Sequence, residues 1–457
     1  QANTTASNNT GVGYQALYEN TTGAANTAIG VNALDANTTA ANNTAVGFES
    51  LTTNTTGANN TAMGHSALAL NTTGASNVSV GYNALGANTT ANNNTGIGFR
   101  SLQANTTGHS NTAVGKNAGT AITTGDENVA VGSDSLEANT TGNENTAVGQ
   151  NALLSNTTGA SNTSVGKSSL ASNTTADNNT AVGTSALGAN TTGTTNTAVG
   201  KDALAANTTA DSNTAVGMNS LKVNTTGAGN TALGFNALDA NTTAANNTGL
   251  GYNCMSANTT GADNTAVGSQ AMAATSTGSY NTALGQLALN DNTTGSYNVA
   301  VGYNCLSAST TTSNNTAVGH QALVSATGGG NVAVGAYAGD ANTTGENLTA
   351  VGHQAATANT TANHTTAIGT NALQANTTGA NNTGIGKNAL NANTTGTQNT
   401  GLGTNAGDTI TTGSYNLCVG HGSDVNANGA EYQMVIGTGL TGKGDNTCFI
   451  GASNGGN

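Results

Sequence analysis

No residue of the 457 is proline or tryptophan, aromatics make up 3%, and charged residues only 6%. An ordinary soluble domain carries about 25% charge, and length alone would suggest about three domains of ~150 residues. Composition overrides that expectation. The hydrophobic share is 35% and consists mostly of Ala, Val and Leu, too few bulky side chains for a conventional core. Disordered chains are usually enriched in charge and proline, so the same scarcity argues against disorder. Collagen is excluded by the missing proline and by the absence of a three-residue glycine period. Seven basic residues against 20 acidic ones leave a net charge of -13, without the basic stripe that nucleic acid or an anionic membrane requires. No apolar run is long enough for a membrane-spanning helix. The chain enters its repeat directly after Gln1 and reads as a mature or partial product whose targeting or attachment segments lie elsewhere.

What the chain has is a repeat. The apolar residue before Gly in Asn-Thr-Ala-Val-Gly falls at Val12, Ile29, Val46, Met63, Val80, Ile97 and Val114, and the spacing of 17 holds as far as Val318. One residue is missing before Val334; the period then resumes through Val351, Ile368, Ile385, Leu402, Val419 and Ile436, and a 14-residue step reaches Ile450. These 27 registers share one unit, roughly Asn-Thr-Ala-Val-Gly-x-x-Ala-Leu-x-Ala-Asn-Thr-Thr-Gly-x-x. Such regularity marks a solenoid or fibre in which each unit stacks on the next. At the usual strand spacing of about 4.8 Å, the coils would form a rod of roughly 130 Å.

Within a unit the pattern reads as strand. Two residues before the anchor stands Thr, replaced by Val78, Val129, Val299, Val332, Leu417 and Met434, so this position and the anchor share one β-branched or apolar face. The opposite face carries a small residue before the anchor, in all but the last few units, and an invariant Gly after it. A strand with neither face suited to water should be buried on both sides. Rows of Gly and Ala also suit close backbone approach. Together these imply a homo-oligomer, a trimer about a shared axis, without showing which face meets the partner.

A second strand is expected at Ala33-Leu34, Ala67-Leu68, Ala152-Leu153 and Ala237-Leu238, with Leu, or Met255 and Met272, filling the coil. The turn Asn-Thr-Thr-Gly suits local backbone hydrogen bonding, and stacking should align its side chains into ladders along the axis. A few units lose the Leu, three of them to Gly, at Ala118-Gly119, Ala338-Gly339 and Ala406-Gly407. Ile122 and Ile410 take the turn Asn position in two of them, where they would refill the void.

The unit resembles the head repeats of trimeric autotransporter adhesins, Asn-Ser-Val-Ala-Ile-Gly-x-x-Ala, and more closely the shaft repeats of phage tail fibres. The C-terminal stretches Gln433-Met434-Val435-Ile436-Gly437, Thr441-Gly442-Lys443-Gly444-Asp445-Asn446-Thr447 and Phe449-Ile450-Gly451 resemble the ends of such shafts. Shafts of this kind commonly precede a self-cleaving intramolecular chaperone of the endosialidase type. The resemblance implies a trimeric β-roll or β-helix displayed outside a cell or on a virion. Departures from it are the longer repeat and the absence of a coiled-coil stalk, membrane anchor or chaperone from this sequence.

Several rows bear on chemistry. Two residues after the anchor stand Tyr14, Phe48, His65, Tyr82, Phe99, Tyr252, Tyr303 and His320, with Lys116, Lys167, Lys201 and Lys387 in the same row. One reading is an exposed ridge for glycan or receptor contact, with rings stacked on sugar faces; the simpler one is a corner of large side chains covering the coil edge. The isolated His do not make a metal site, and no cofactor is implied. Twenty Asn-Thr-Thr sequons, among them Asn20, Asn37, Asn54, Asn71, Asn88 and Asn105, are N-glycosylation acceptors if the chain is secreted by a eukaryote. They are equally good turn and ladder residues in any organism. The densest acidic group is Asp126-Glu127 with Asp134, but glycoside cleavage needs two carboxylates held in a cleft, so an enzyme is not expected. Cys254 and Cys305 read as small buried residues, Cys418 replaces a small-row residue, and Cys448 lies near the end.

The expected fold is all-β, a parallel β-helix or β-roll solenoid packed as a homotrimeric fibre, with a shaft over 1–420 and irregular final repeats over 421–457. The expected function is that of an extracellular or virion fibre presenting a binding tip for attachment to a host or surface. Alternatives are an ice-binding Thr-ladder solenoid, against which the two adjacent turn Thr should point to opposite sides, and a polysaccharide-degrading tailspike.

Overall fold

The computed structural model describes residues 5–451. The first sequon, at Asn3, and the last six residues lie outside them. Among the described residues every regular element is a strand of three residues, 27 in all, and none is a helix. The chain divides into two compact units, Gln1–Gly229 and Asn230–Asn457. The first holds β1 (Thr10–Val12) to β13 (Thr214–Val216), the second β14 (Thr231–Leu233) to β27 (Cys448–Ile450).

Both units are parallel β-solenoids in which each strand pairs with the strand of the next coil at equivalent residues. Thr27, Ala28 and Ile29 face Thr44, Ala45 and Val46. The register survives the 16-residue coil, where Thr316 pairs with Val332, and the 14-residue coil, where Met434 pairs with Cys448. Between strands the chain still bonds from coil to coil: Leu34 N donates to Ser50 O at 3.1 Å, and Gly47 N to Ile29 O at 2.8 Å. A proline would remove one such donor, which accounts for its absence.

The small row faces inward. Ala28, Ala45, Ala62 and Ala113 are fully buried, while the Thr and the anchor on either side point out. The strand expected to be buried on both faces is therefore buried on one, and within a single chain its outward face is half exposed. The glycine after the anchor also has a different cause from the one inferred. Gly13 has φ +134°, and a Cβ there would lie 2.4 Å from Gly30 O of the next coil. The backbone that comes close belongs to the same chain, so this row is no argument for a partner.

The expected second strand is absent. Ala33 and Leu34 lie in a turn, and Leu34 is left-handed at φ 51°, as is its counterpart in almost every coil. A bulky residue in that region costs roughly 1–2 kcal/mol. Burying a Leu completely returns about 1.5–3 kcal/mol, and Leu34, Leu51 and Leu68 are fully buried. Burial wins, so the interior holds its largest side chain in a conformation that strand propensity would not suggest.

Where Leu is lost, the void is refilled as expected at two sites. A Cβ on Gly119 would lie 3.0 Å from Ile122 Cδ1, and one on Gly407 3.2 Å from Ile410 Cδ1. At Gly339 the filler is Leu348, whose Cδ2 would lie 2.9 Å away, in the position just before the strand that Asn occupies in most other coils.

Coils contact mainly their neighbours, so a defect should act locally. Leu187→Ala should cost about 2–5 kcal/mol. Gly183→Ala, at φ +133° with a Cβ 2.5 Å from Gly200 O, should also destabilise its coil. Amide exchange should show lost protection centred on the altered coil and its neighbours, with distant coils of the same unit unchanged.

Candidate functional site

Two rows of Asn run through the interior. In the first, Asn37 Nδ2 donates to Asn20 Oδ1 at 2.8 Å and to its own turn at Ala40 O, 3.0 Å. Asn54, Asn71, Asn88 and Asn105 repeat the coil-to-coil bond at 2.8–3.0 Å. These are the sequon residues, and all six sequon Asn singled out from the sequence are at most 1% exposed. A glycan on Nδ2 would replace a ladder hydrogen and enter the packed interior, so the closed coil has no room for glycosylation at Asn20, Asn37, Asn54, Asn71, Asn88 or Asn105. The second row, before each strand, was not foreseen as a ladder. Asn43 N donates to Asn26 Oδ1 at 2.9 Å, while Asn43 Nδ2 reaches Gly57 O at 3.0 Å.

Tyr14, Phe48, His65, Tyr82, Phe99, Tyr252, Tyr303 and His320 all stand exposed at the corner after the strand. Most of them stack from coil to coil. Phe48–His65, His65–Tyr82 and Tyr82–Phe99 have ring centroids 5.0, 5.3 and 5.4 Å apart, and the Arg100 guanidinium lies 5.1 Å from the Phe99 ring centre. Phe235–Tyr252 and Tyr303–His320 repeat the motif at 5.6 and 5.4 Å. The interior rings of such a stack have both faces occupied by neighbours, so they offer a sugar only their edges. Stacking of this kind stabilises the corner by about 0.5–1.5 kcal/mol per pair; among the described residues Tyr14 has no ring partner.

The acidic group separates into two places. Asp126 Oδ1 accepts His109 N at 2.8 Å, with His109 Nε2 3.4 Å from Oδ2. Asp134 accepts from Ser133 Oγ at 2.7 Å and Asn117 Nδ2 at 3.0 Å, and these bonds, the Ser133 one foremost, hold its pKa below the ordinary value. Asp126 shares with Glu127, His109, Asn143 and Glu144 an open depression of about 280 Å³. Asp177 and Asp211 repeat the role of Asp126, accepting Ala160 N and Thr194 N at 2.7 and 2.6 Å. The Asp residues of this row satisfy a backbone N–H of the preceding coil, a role legible only once coils are stacked.

Cys254, Cys305 and Cys418 are buried and free, and burial pushes each thiol up to about 12. Among the described residues no group of His, Cys, Asp and Glu could hold a metal ion, and no helix is long and apolar enough to cross a membrane. A scan against protein-family models finds no match to this chain, and a search of curated proteins finds no significant relative.

The remaining surface feature is the outward strand face. Its two columns, Thr or an apolar residue at strand entry and Val, Ile, Leu or Met at strand exit, contain no charged residue in any of the 27 strands. Ile29, Met63, Leu233 and Leu402 are 41–49% exposed.

Two defects in the interior make predictions. The Oδ1 atoms of Asn105, Asn258, Asn292 and Asn393 have no donor, because the next coil places Ile122, Thr275, Ser309 or Ile410 where the ladder needs an amide. Thr275→Asn should complete the row between Asn258 and Asn292 and stabilise those coils by about 1 kcal/mol, read as slower amide exchange there. Ile122→Asn should instead destabilise, since it empties the space beside Gly119.

Asp424 is buried beside Asp408, with which it shares a hydrogen bond, and desolvation pushes its pKa from 3.8 to about 6. A raised carboxyl contributes stability that is full below 3.8 and is lost as pH rises through about 6. The last coils should therefore be more stable at pH 4 than at pH 7. Asp424→Asn should flatten that dependence, checked by pH-dependent amide exchange.

Proposed function

We propose that the chain is the shaft of a structural and adhesive fibre outside a cell or on a virion, assembled as a homotrimer through its outward strand faces. The observation that supports this most is the uncharged, half-exposed apolar column on every coil. At roughly 50 Å² per coil, one unit presents on the order of 600 Å² of it, at or above the largest patch common on monomers. Copies packed along this face would cover both columns. The shaft's role is then mechanical: coil-to-coil bonds supply stiffness, and the number of coils sets the distance between an anchor and a binding tip.

A second reading uses the same face. Thr and Val stand in two straight columns repeating once per coil, an array that suits ordered water. This differs from the turn Thr considered first, one of which is half-buried and donates to the next coil, as Thr38 Oγ1 does to Thr55 O at 3.1 Å. One surface cannot serve both uses, and that separates the readings. The tailspike reading has little to rest on, since Asp126 and Asp134 are engaged in hydrogen bonds within the coils.

Sedimentation of the purified chain tests the proposal. We expect three times the chain mass of 44.1 kDa, and a folded monomer for the double variant Val182→Lys, Val199→Lys. A wild-type chain that sediments as a folded monomer contradicts the fibre reading. Strong thermal hysteresis from that monomer would favour ice binding.

A further inference from the structure

Four of the ten tyrosines occupy one position, four residues before the strand exit, where the backbone is left-handed. Tyr280, Tyr297, Tyr415 and Tyr432 have φ 53–60° there. Most coils fill this position with Asn, Ser, Asp or Gly, residues that accept the conformation more readily. Tyrosine enters it only on consecutive coils, never singly. Tyr280 and Tyr297 stack with centroids 5.1 Å apart and planes at 4°; Tyr415 and Tyr432 stack at 4.6 Å and 7°.

These are the only contacts between two tyrosines among the described residues, since Tyr82, Tyr252, Tyr303 and Tyr337 meet Phe or His. The four rings are about half exposed. Their backbones are anchored, Tyr297 N donating to Ser279 O at 3.1 Å and Tyr432 N to Ser414 O at 3.2 Å. Among the described residues none of the four hydroxyls has a hydrogen-bond partner. A stack needed for packing alone would be served by Phe.

We propose that Tyr280–Tyr297 and Tyr415–Tyr432 are oxidative cross-linking sites, at which a one-electron oxidant of the peroxidase and hydrogen peroxide class couples each pair into dityrosine. Each phenol loses one electron and one proton to give a phenoxyl radical. The two radicals join through a carbon–carbon bond between ring positions ortho to oxygen, and each ring then loses its displaced C–H proton to its own oxygen, restoring the phenol. The pair gives up two electrons and two protons, which reduce one hydrogen peroxide to two waters. The parallel, exposed geometry holds the two rings together and open to the oxidant. The product staples one coil to the next and makes a stack held by hydrogen bonds covalent at two places.

The test treats the dilute full-length chain with a peroxidase and hydrogen peroxide. Intact mass should fall by two hydrogens per staple and four in all, at a rate independent of protein concentration. Peptide mapping should join Tyr280 to Tyr297 and Tyr415 to Tyr432. The double variant Tyr280→Phe, Tyr415→Phe should lose the mass change, as should Tyr297→Phe, Tyr432→Phe, with circular dichroism unchanged in both. Dityrosine formed chiefly through other tyrosines or between chains would overturn the proposal. So would the absence of coupling under conditions that couple free N-acetyltyrosine.

Discussion

A buried amide that bonds to its own copy one coil away is the interaction on which the rest of this structure depends. Asn supplies a donor and an acceptor on one short side chain. In the first row, Nδ2 ties the turn to itself and to the preceding coil, while Oδ1 waits for the next. Burial makes the arrangement stringent, because an amide left unpaired there costs about 1–3 kcal/mol. A coil thus gains from having the same residue at the same position as its neighbour, which is a physical reason for the sequence to repeat. Where repetition lapses, at Ile122, Thr275, Ser309 and Ile410, an Oδ1 is orphaned.

Other features follow from that stacking. A coil so narrow admits Ala from the strand, Leu from the turn and two amides, and little more. Charge is driven to the corners, where Asp126, Asp177 and Asp211 close backbone donors. Large rings are driven outward and stack at the same repeat. With the interior filled and many corner side chains engaged within the chain, the strand's outward face stays uncharged and partly exposed. The fibre reading places function there rather than in a pocket.

Much of this could be read from residues in order. The period, the strand at Thr27–Ile29, the ladder at Asn37 and the refilling by Ile122 all follow from patterns of size and polarity along one unit. What could not be read was direction. Ala28 and Gly30 form one small row, yet Ala28 lines the interior while Gly30 yields to the next coil's carbonyl, a distinction that depends on φ. Leu34 looked like a strand residue because apolar burial is visible in sequence and a left-handed backbone is not. The sequons at Asn20 and Asn37 satisfy a motif that is blind to burial. Asp126 was singled out for the density of carboxylates around it in sequence, whereas its partner is a backbone N–H one coil away. Leu348 in an Asn row makes sense only beside Gly339, and Tyr280 with Tyr297 only once the coils are stacked.

Exchange of the Asn side-chain amides tests the central claim most directly. Resolved by NMR in the folded chain, the Nδ2 hydrogens of Asn71 and Asn88 should be protected to a degree comparable with backbone amides of the adjoining strands. Those of an exposed residue such as Asn93 should exchange freely. Rapid exchange at Asn71 and Asn88 while the strands stay protected would contradict the account, because the coils would then be held without the ladder.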